Sequence, residues 1–419
     1  MSGRAGGPAT PARPDGAQWP HVVVLDPYTA GLALARRMVR LGARVSVISD
    51  PTDLFVDRTR GVSSIVAPFE LDGPTWLGAL AEIAASSEEV VALPCSDRCC
   101  ELLLRAAATL PANVRMFERA GAGHLALMNK EAADAIAREA GVPVPWTAMI
   151  GAVEELEPAI ARAPWPCVVK PMLSHEWRER YGGERAFLVA NAEEAARRLD
   201  QPLRDGVGMM LSQYIPGGDG DVEEAIVVRL ADGSYPVRFG CHKLRQSPRG
   251  FGVTTVGEAS SLPETMALAE KVLDRAGFVG VAGVETKRDE LTGERWFLEV
   301  NVRVPGQWGL GDSCGVQASP RLVAALCGWP LGPQPQLREG VRILLAELDA
   351  HMVAAAVREA PVWRRPAVAA RMARAYAGAR NFGLLDVRDP GPGLAWIGLL
   401  ARRRASNLSA SLRRLRARE

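Results

Sequence analysis

The sequence has no long apolar run. A membrane-crossing helix needs roughly 20 consecutive apolar residues, and the longest candidate, Gly393 to Leu400, stops far short of that. Cysteines paired at metal-site spacing are also missing. Of the seven cysteines, Cys95, Cys99 and Cys100 cluster as C-x-x-x-C-C with no second pair to complete a zinc site. They read as small buried thiols of a reducing compartment. Nor is one sign of charge in surplus. The 50 Lys and Arg against 48 Asp and Glu leave +2, too little to hold an extended polyanion such as nucleic acid. Residues 1–19 are rich in Gly, Pro, Ala and Arg without an apolar core, so they read as a flexible lead and not as a secretory signal. These absences give the expectation of a cytoplasmic protein with neither a nucleic acid nor a membrane as partner.

What is present is a globular chain of 419 residues, 48 % hydrophobic and 23 % charged, long enough for two or three domains. His21 to Leu25 reads as a buried strand, Leu32 to Leu41 as a helix ended by Gly42, and Arg44 to Ser49 as a second strand. This strand–helix–strand unit opens a parallel sheet. Further strands are expected at Ser63 to Ala67 and Val90 to Pro94, around a helix from Trp76 to Ala84, so residues 20–122 form a Rossmann-like domain. The turn after the first strand, Asp26 to Gly31, carries one glycine where a dinucleotide fingerprint needs three. NAD is therefore not expected, and that turn is structural or faces a substrate.

Beyond Gly123 a helix through Lys130, Ala133, Ile136 and Ala137 ends at Gly141. Strands are expected at Cys167 to Lys170, Ala186 to Val189 and Gly208 to Ile215. Ala225 to Leu230 should pair with Tyr235 to Cys241 across Asp232-Gly233. Val279 to Lys287 should pair with Arg295 to Val300. Paired strands with helices make this region α+β. From about residue 340 the chain is Ala- and Arg-rich and mostly helical.

The strongest chemical signal is Glu299-Val300-Asn301-Val302-Arg303. Alternate residues of a strand share a face, so Glu299, Asn301 and Arg303 project together, with Glu285 on the partner strand of the hairpin. Two carboxylates and a carboxamide oxygen suit Mg²⁺; the bland alternative is a solvated strand face. An apolar strand delivers Lys170, a point charge for phosphate. Gln213-Tyr214-Ile215-Pro216-Gly217 turns into a loop bearing Asp219 and Asp221, and Lys243-Leu244-Arg245-Gln246 adds cations.

In order, Asn129-Lys130, Gly141-Val142-Pro143-Val144-Pro145, Val168-Val169-Lys170-Pro171, Ser212 to Gly217, Glu285 and Glu299 to Arg303 resemble the ATP-grasp superfamily. The stretch from Lys243 to Pro248 with Phe251-Gly252 resembles its carboxylate–amine ligase branch, which includes enzymes like D-aspartate ligase. The resemblance implies a fold class of α/β plus α+β. A Rossmann-like domain would precede an ATP-grasp domain at 123–335, with a lid subdomain at about 142–211 and a helical region at 336–419. It implies ATP and Mg²⁺, with Mn²⁺ as a substitute. Lys130 and Lys170 would hold the α- and β-phosphates, and Ser212, Gln213, Tyr214 and Ile215 the adenine. Asp219, or Asp221 in its place, would take the ribose hydroxyls. Glu285, Glu299 and Asn301 would hold metal. Arg303 would steady the transferring phosphoryl group, and Lys243 and Arg245 would meet the γ-phosphate or a substrate carboxylate. The substrates would be a small carboxylate and an amine, amino-acid-like, and the family also implies a homodimer.

Three departures stand out. The lid loop from Leu173 to Gly183 is long and charged. Ser212-Gln213 replaces the acidic residue common at the hinge. Val302 stands where proline is common. His175 and His242 are candidate bases or plain loop histidines. Pro305 to Gly309 either lines an acceptor pocket or packs through Trp308, and Cys314 reads as structural. Pro94-Cys95-Ser96-Asp97, at a strand end, is a candidate substrate contact. The Arg-rich tail, with Leu408, Leu412 and Leu415 on one stripe, reads as an amphipathic helix packing on the domain; the alternative is a contact with an acidic lipid surface, nucleic acid or an acidic partner. Two rival functions remain: a bicarbonate-activating carboxylase of the same superfamily, and a non-catalytic ATP-binding regulatory module.

Overall fold

The computed structural model describes residues 14, 17–50, 55–70, 74–119, 121–172, 177, 180–181 and 186–402. Most of the lead, the Arg-rich tail from 403, and residues 173–176 and 182–185 of the lid loop, with His175 among them, lie outside these residues.

The first sheet comprises β1 (His21–Leu25), β2 (Val45–Ser49), β3 (Val62–Val66), β4 (Val90–Pro94) and β5 (Val114–Arg115). All pair in parallel, in the order β3-β2-β1-β4-β5. Strand β1 is buried on both faces because helices cover both. Val22 and Val24 pack with Leu32, Leu34 and Ala35 of the helix Tyr28–Arg40. Val23 and Leu25 pack with Trp76, Leu80 and Leu102 of the helices Pro74–Ala85 and Asp97–Arg105. The strand order reverses between β1 and β4, and the carboxyl ends at such a point form a crevice. Gly31 is needed for packing: a Cβ there would lie 2.6–2.9 Å from Val24, Pro27 and the Cys95 thiol. The helix Asp97–Arg105 was not foreseen; the Ser96 hydroxyl caps it by accepting from the Cys99 amide at 3.2 Å.

The second sheet comprises β6 (Thr147–Ile150), β7 (Cys167–Pro171), β8 (Phe187–Val189) and β9 (Met209–Gln213), antiparallel in the order β6-β9-β7-β8. Cys167, Val169, Met209 and Leu211 pack on Leu156, Ala195 and Leu199 of the helices Leu156–Arg162 and Ala192–Arg204. Alternation therefore turns Lys170 and Ser212 to the opposite face.

The third sheet comprises β10 (Val222–Arg229), β11 (Val237–Ser247), β12 (Val253–Ser260), β13 (Gly280–Arg288), β14 (Arg295–Asn301), β15 (Arg342–Leu344) and β16 (Ala379–Asn381). Its order is β14-β13-β10-β11-β12-β15-β16. Both expected hairpins form: Val228 faces Val237 across the Asp232-Gly233 turn, and Glu285 faces Glu299. The region past 340 is not helical throughout. Beside the helices Ala346–Glu359 and Arg365–Arg374 it adds β15 and β16 to this sheet, β15 pairing with β12. Strands of three residues inside Ala- and Arg-rich sequence leave no periodic signal; the neighbouring strand selects them. Among the described residues no helix is long and apolar enough to cross a membrane.

Candidate active site

The centre of the third sheet carries an acidic row. Glu224 on β10 faces Glu285 on β13, and Glu285 faces Glu299 on β14. Directly paired residues share a sheet face, so the three carboxylates line up across three strands. Lys243 reaches in from β11, its Nζ 2.6 Å from Glu285 Oε2, with the two side chains 2 % and 13 % exposed.

Glu224 is 1 % exposed, and neither of its carboxylate oxygens has a hydrogen-bond partner among the described residues. Gly283 lies against it, and any Cβ there would collide with the carboxylate. Burial pushes the Glu224 carboxyl up to about 8, and the charge of Glu285 adds to the rise; Lys243 and Arg303 oppose it. Burial also raises Glu285, with Lys243 opposing. Burial alone would lower Lys243, yet Glu285 and Glu224 hold it above its ordinary value. The interior thus keeps one ammonium between two acids, with Glu299 exposed at the outer end of the row. By themselves, no three His, Cys, Asp or Glu side chains among the described residues form a metal-holding group.

Arg303 joins this row to the helix that follows β4 of the first sheet. Its guanidinium bonds Asp97 Oδ1 at 2.8 Å and the Asn301 carboxamide oxygen at 3.1 Å. The amide of Val304 donates to Pro94 at 3.4 Å. The carboxyl end of β4 therefore meets the row. Cys95, Cys99 and Cys100 are buried, free and raised by that burial, which suppresses the reactive thiolate.

The remaining sequence-selected residues spread around the row. Lys170 is close enough for its charge to act on Glu285. Lys130 bonds Asp134 at 2.5 Å and the Leu298 carbonyl at 2.7 Å, which anchors its helix to β14. Between β6 and β9 of the second sheet the Ser212 hydroxyl lies 3.1 Å from that of Thr147, and Gln213 Oε1 accepts from the Trp146 amide at 3.3 Å. The Tyr214 amide donates to Pro166, and Ile215 is buried. Asp219 accepts from the amides of Gly250 at 2.7 Å and Gln246 at 3.0 Å. Asp221 accepts from the Gly218 amide at 2.9 Å and Arg288 at 2.7 Å.

Arg245 does not accompany Lys243. A register shift in β11 lies between them, and Arg245 pairs instead with buried Asp349 at 2.6 Å. Asp349 also accepts from Tyr376 at 2.6 Å and Thr255 at 2.7 Å. Arg245 therefore ties the C-terminal helices to the sheet. His242 is held at the Gly220 carbonyl. Trp308 is fully buried, bonds Ser319 at 3.0 Å and packs on Phe239, so it is a packing residue. Cys314 is buried and structural.

Sequence reasoning missed Glu224 and Lys287. Glu224 was legible as an acid pair, Glu223-Glu224, heading an otherwise apolar strand; neighbouring residues face opposite ways, so one of the two had to face the row. Glu223 takes the other face, bonding Arg295 at 2.9 Å. Lys287 lies two residues beyond Glu285, and its ammonium stands 4.9 Å from the Tyr214 ring centre. Burial lowers Lys287 below its ordinary value, while Asp221, Asp219, Glu290 and Asp289 pull the other way.

No protein-family model matches the sequence, and no curated protein does. Solved structures do match. An N5-carboxyaminoimidazole ribonucleotide synthetase in complex with ADP is 19 % identical, with a TM-score of 0.61 over 81 % of this chain and 85 % of that one. Biotin carboxylase from Campylobacter jejuni is 16 % identical, with a TM-score of 0.57 over 78 % and 74 %. The L-amino acid ligase from Bacillus licheniformis is 16 % identical, with a TM-score of 0.54 over 74 % and 75 %. The chain has the ATP-grasp fold.

Proposed function

We propose that this protein is an ATP- and Mg²⁺-dependent ligase. It activates a carboxylate as an acyl phosphate and joins it to an amine, giving an amide, ADP and phosphate. The observation that carries the reading is the Glu224–Glu285–Glu299 row with Lys243 inside it and Arg303 at its end, near enough to Lys170 for that lysine's charge to act on Glu285.

A carboxylate is a poor acyl donor because its leaving group is oxide; phosphorylation replaces that with phosphate. The protein's work is then positioning and charge neutralisation. Lys170 and Lys130 hold the α- and β-phosphates, the latter after exchanging its Asp134 partner. Ser212 to Ile215 line the adenine, and Asp219 and Asp221 stand at the ribose end. Glu285, Glu299 and Asn301 are the groups that would hold Mg²⁺. The unsatisfied oxygens of Glu224 fit a cation close by, and phosphate oxygens and water would complete the shell. When bound, Mg²⁺ neutralises the phosphate charge. Lys243 and Arg303 stabilise the charge that develops on the transferring group, and Asp97 orients Arg303. Arg245 supports this site from behind through Asp349. The carboxylate and amine are small and amino-acid-like, and the protein works in the cytoplasm.

The test is nucleotide product analysis by mass spectrometry with ATP, Mg²⁺ and pooled amino acids and small carboxylates, beside a Glu299→Ala, Asn301→Ala variant. ADP that appears only with a substrate pool and is lost in the variant supports the reading, and the same spectra give the amide mass. AMP would overturn it. Because the similar structures include a biotin carboxylase, a bicarbonate arm is run in parallel. ATP turnover that depends on bicarbonate alone would favour the carboxylase reading.

A further inference from the structure

Lys287 is 7 % exposed, and among the described residues its ammonium forms no ion pair. It stands over the face of Tyr214, 4.9 Å from the ring centre. An ammonium buried without an acceptor is costly, and an apolar side chain would fill the same space without that cost. Such a lysine is explained if an acceptor arrives from outside.

Its position says which acceptor. Residues two apart on a strand share a face and lie about 7 Å apart, so Lys287 stands one step along β13 from Glu285. Val222 faces Lys287 across the β10–β13 pairing, so Asp221, the residue before it, stands beside the lysine and bonds the next residue, Arg288, at 2.7 Å; the charges of Asp221 and Asp219 both act on Lys287. Those two carboxylates are fixed by protein donors, Asp219 by the Gln246 and Gly250 amides and Asp221 by Gly218 and Arg288. Each carboxylate keeps lone pairs for one more donor. A hydroxyl between them and Lys287 would have both its needs met, since it could donate to a carboxylate and accept from the ammonium.

We propose that Lys287 reads the sugar of the nucleotide, donating to a ribose hydroxyl oxygen whose own proton goes to Asp219 or Asp221. This rests on the nucleotide-binding reading above and assigns the sugar contact to a donor as well as to acceptors.

The test uses the full chain and calorimetry with Mg²⁺ and ADP, 2′-deoxy-ADP or 3′-deoxy-ADP, for the wild type, Lys287→Met and Lys287→Arg. Melting curves should show Lys287→Met folded and at least as stable as the wild type, since it removes a buried charge. The wild type should bind ADP at least tenfold tighter than one of the deoxy nucleotides. Lys287→Met should bring that ratio within twofold, and Lys287→Arg should restore part of it. An unchanged ratio in Lys287→Met overturns the proposal. So does equal loss for all three nucleotides, which would put the contact on the base. If the wild type binds no ADP at all, the nucleotide reading falls with it, so the two failures are distinguishable.

Discussion

Lys243 and Glu285 meet at 2.6 Å in the interior, and the carboxylate of Glu224 shares their sheet face with no partner of its own among the described residues. One cation thus serves two buried acids. Lys243→Met should cost about 3–5 kcal/mol, because it leaves an uncompensated buried charge. The Lys243→Met, Glu285→Gln double variant should recover most of that. Urea unfolding at pH 7 measures both, and a single variant that loses under about 1 kcal/mol would show the pair to be dispensable.

Arg303 holds Asn301 and Asp97 at once, so it is positioned both from its own strand end and from the helix that follows β4. Arg303→Lys keeps the charge but loses the planar fork. ATP turnover should fall by about 10²-fold or more, with ADP affinity nearly unchanged. Asp97→Asn should give a smaller loss in the same direction. Steady-state ADP release and calorimetry separate the two effects. A matched loss of ADP affinity would make Arg303 a nucleotide anchor instead.

The Arg245–Asp349 pair is buried, and Tyr376 and Thr255 complete it. Arg245→Met should destabilise the fold by about 3–5 kcal/mol and leave ADP affinity within a few-fold. A stable Arg245→Met protein with weakened ADP binding would return Arg245 to the phosphate site.

Glu347, on the helix Ala346–Glu359, is 5 % exposed, and burial pushes its carboxyl up to about 7. Its folded pKa lies above the unfolded value near 4.5. Its contribution to stability is therefore fully present below pH 4.5 and lost as pH rises through 7. The loss is on the order of 3 kcal/mol at 1.36 kcal/mol per pKa unit. Glu347→Gln cannot ionise, so it should gain on the wild type between pH 5 and 8. Melting temperatures across that range read the difference; parallel curves would mean the carboxyl is already neutralised by a partner.

His124 works in the opposite direction. Burial pulls it down to about 4, although Glu118 lies 3.7 Å away. The neutral ring is what the fold accepts, so stability is full above pH 6.5 and falls as pH drops toward 4. In His124→Leu that acid-side slope should be shallower.

Much of the framework was legible in the chain. Past His21, strand β1 is an apolar run, as β4 is, and a parallel sheet buried on both faces requires such runs. That Glu285 lies on the hairpin partner of the Glu299 strand was legible from the glycine-bearing turn between them; its direct pairing with Glu299 was not, because a bulge between Glu285 and Thr286 shifts the register by one residue. Asn301 and Arg303 followed from Glu299 by strand alternation.

Other features depended on contacts between residues far apart in sequence. β15 and β16 are too short to announce themselves and exist because β12 offers an edge. Arg245 looked like a companion of Lys243 until a register shift turned it to Asp349, 104 residues away. Glu224 and Lys287 are ordinary charged residues in sequence; what sets them apart is that the fold buries them and leaves their charges without a full complement of partners. Local periodicity determines which face a side chain takes. Tertiary packing decides what waits on that face, because burial and charge partners come from strands brought together only when the sheet closes.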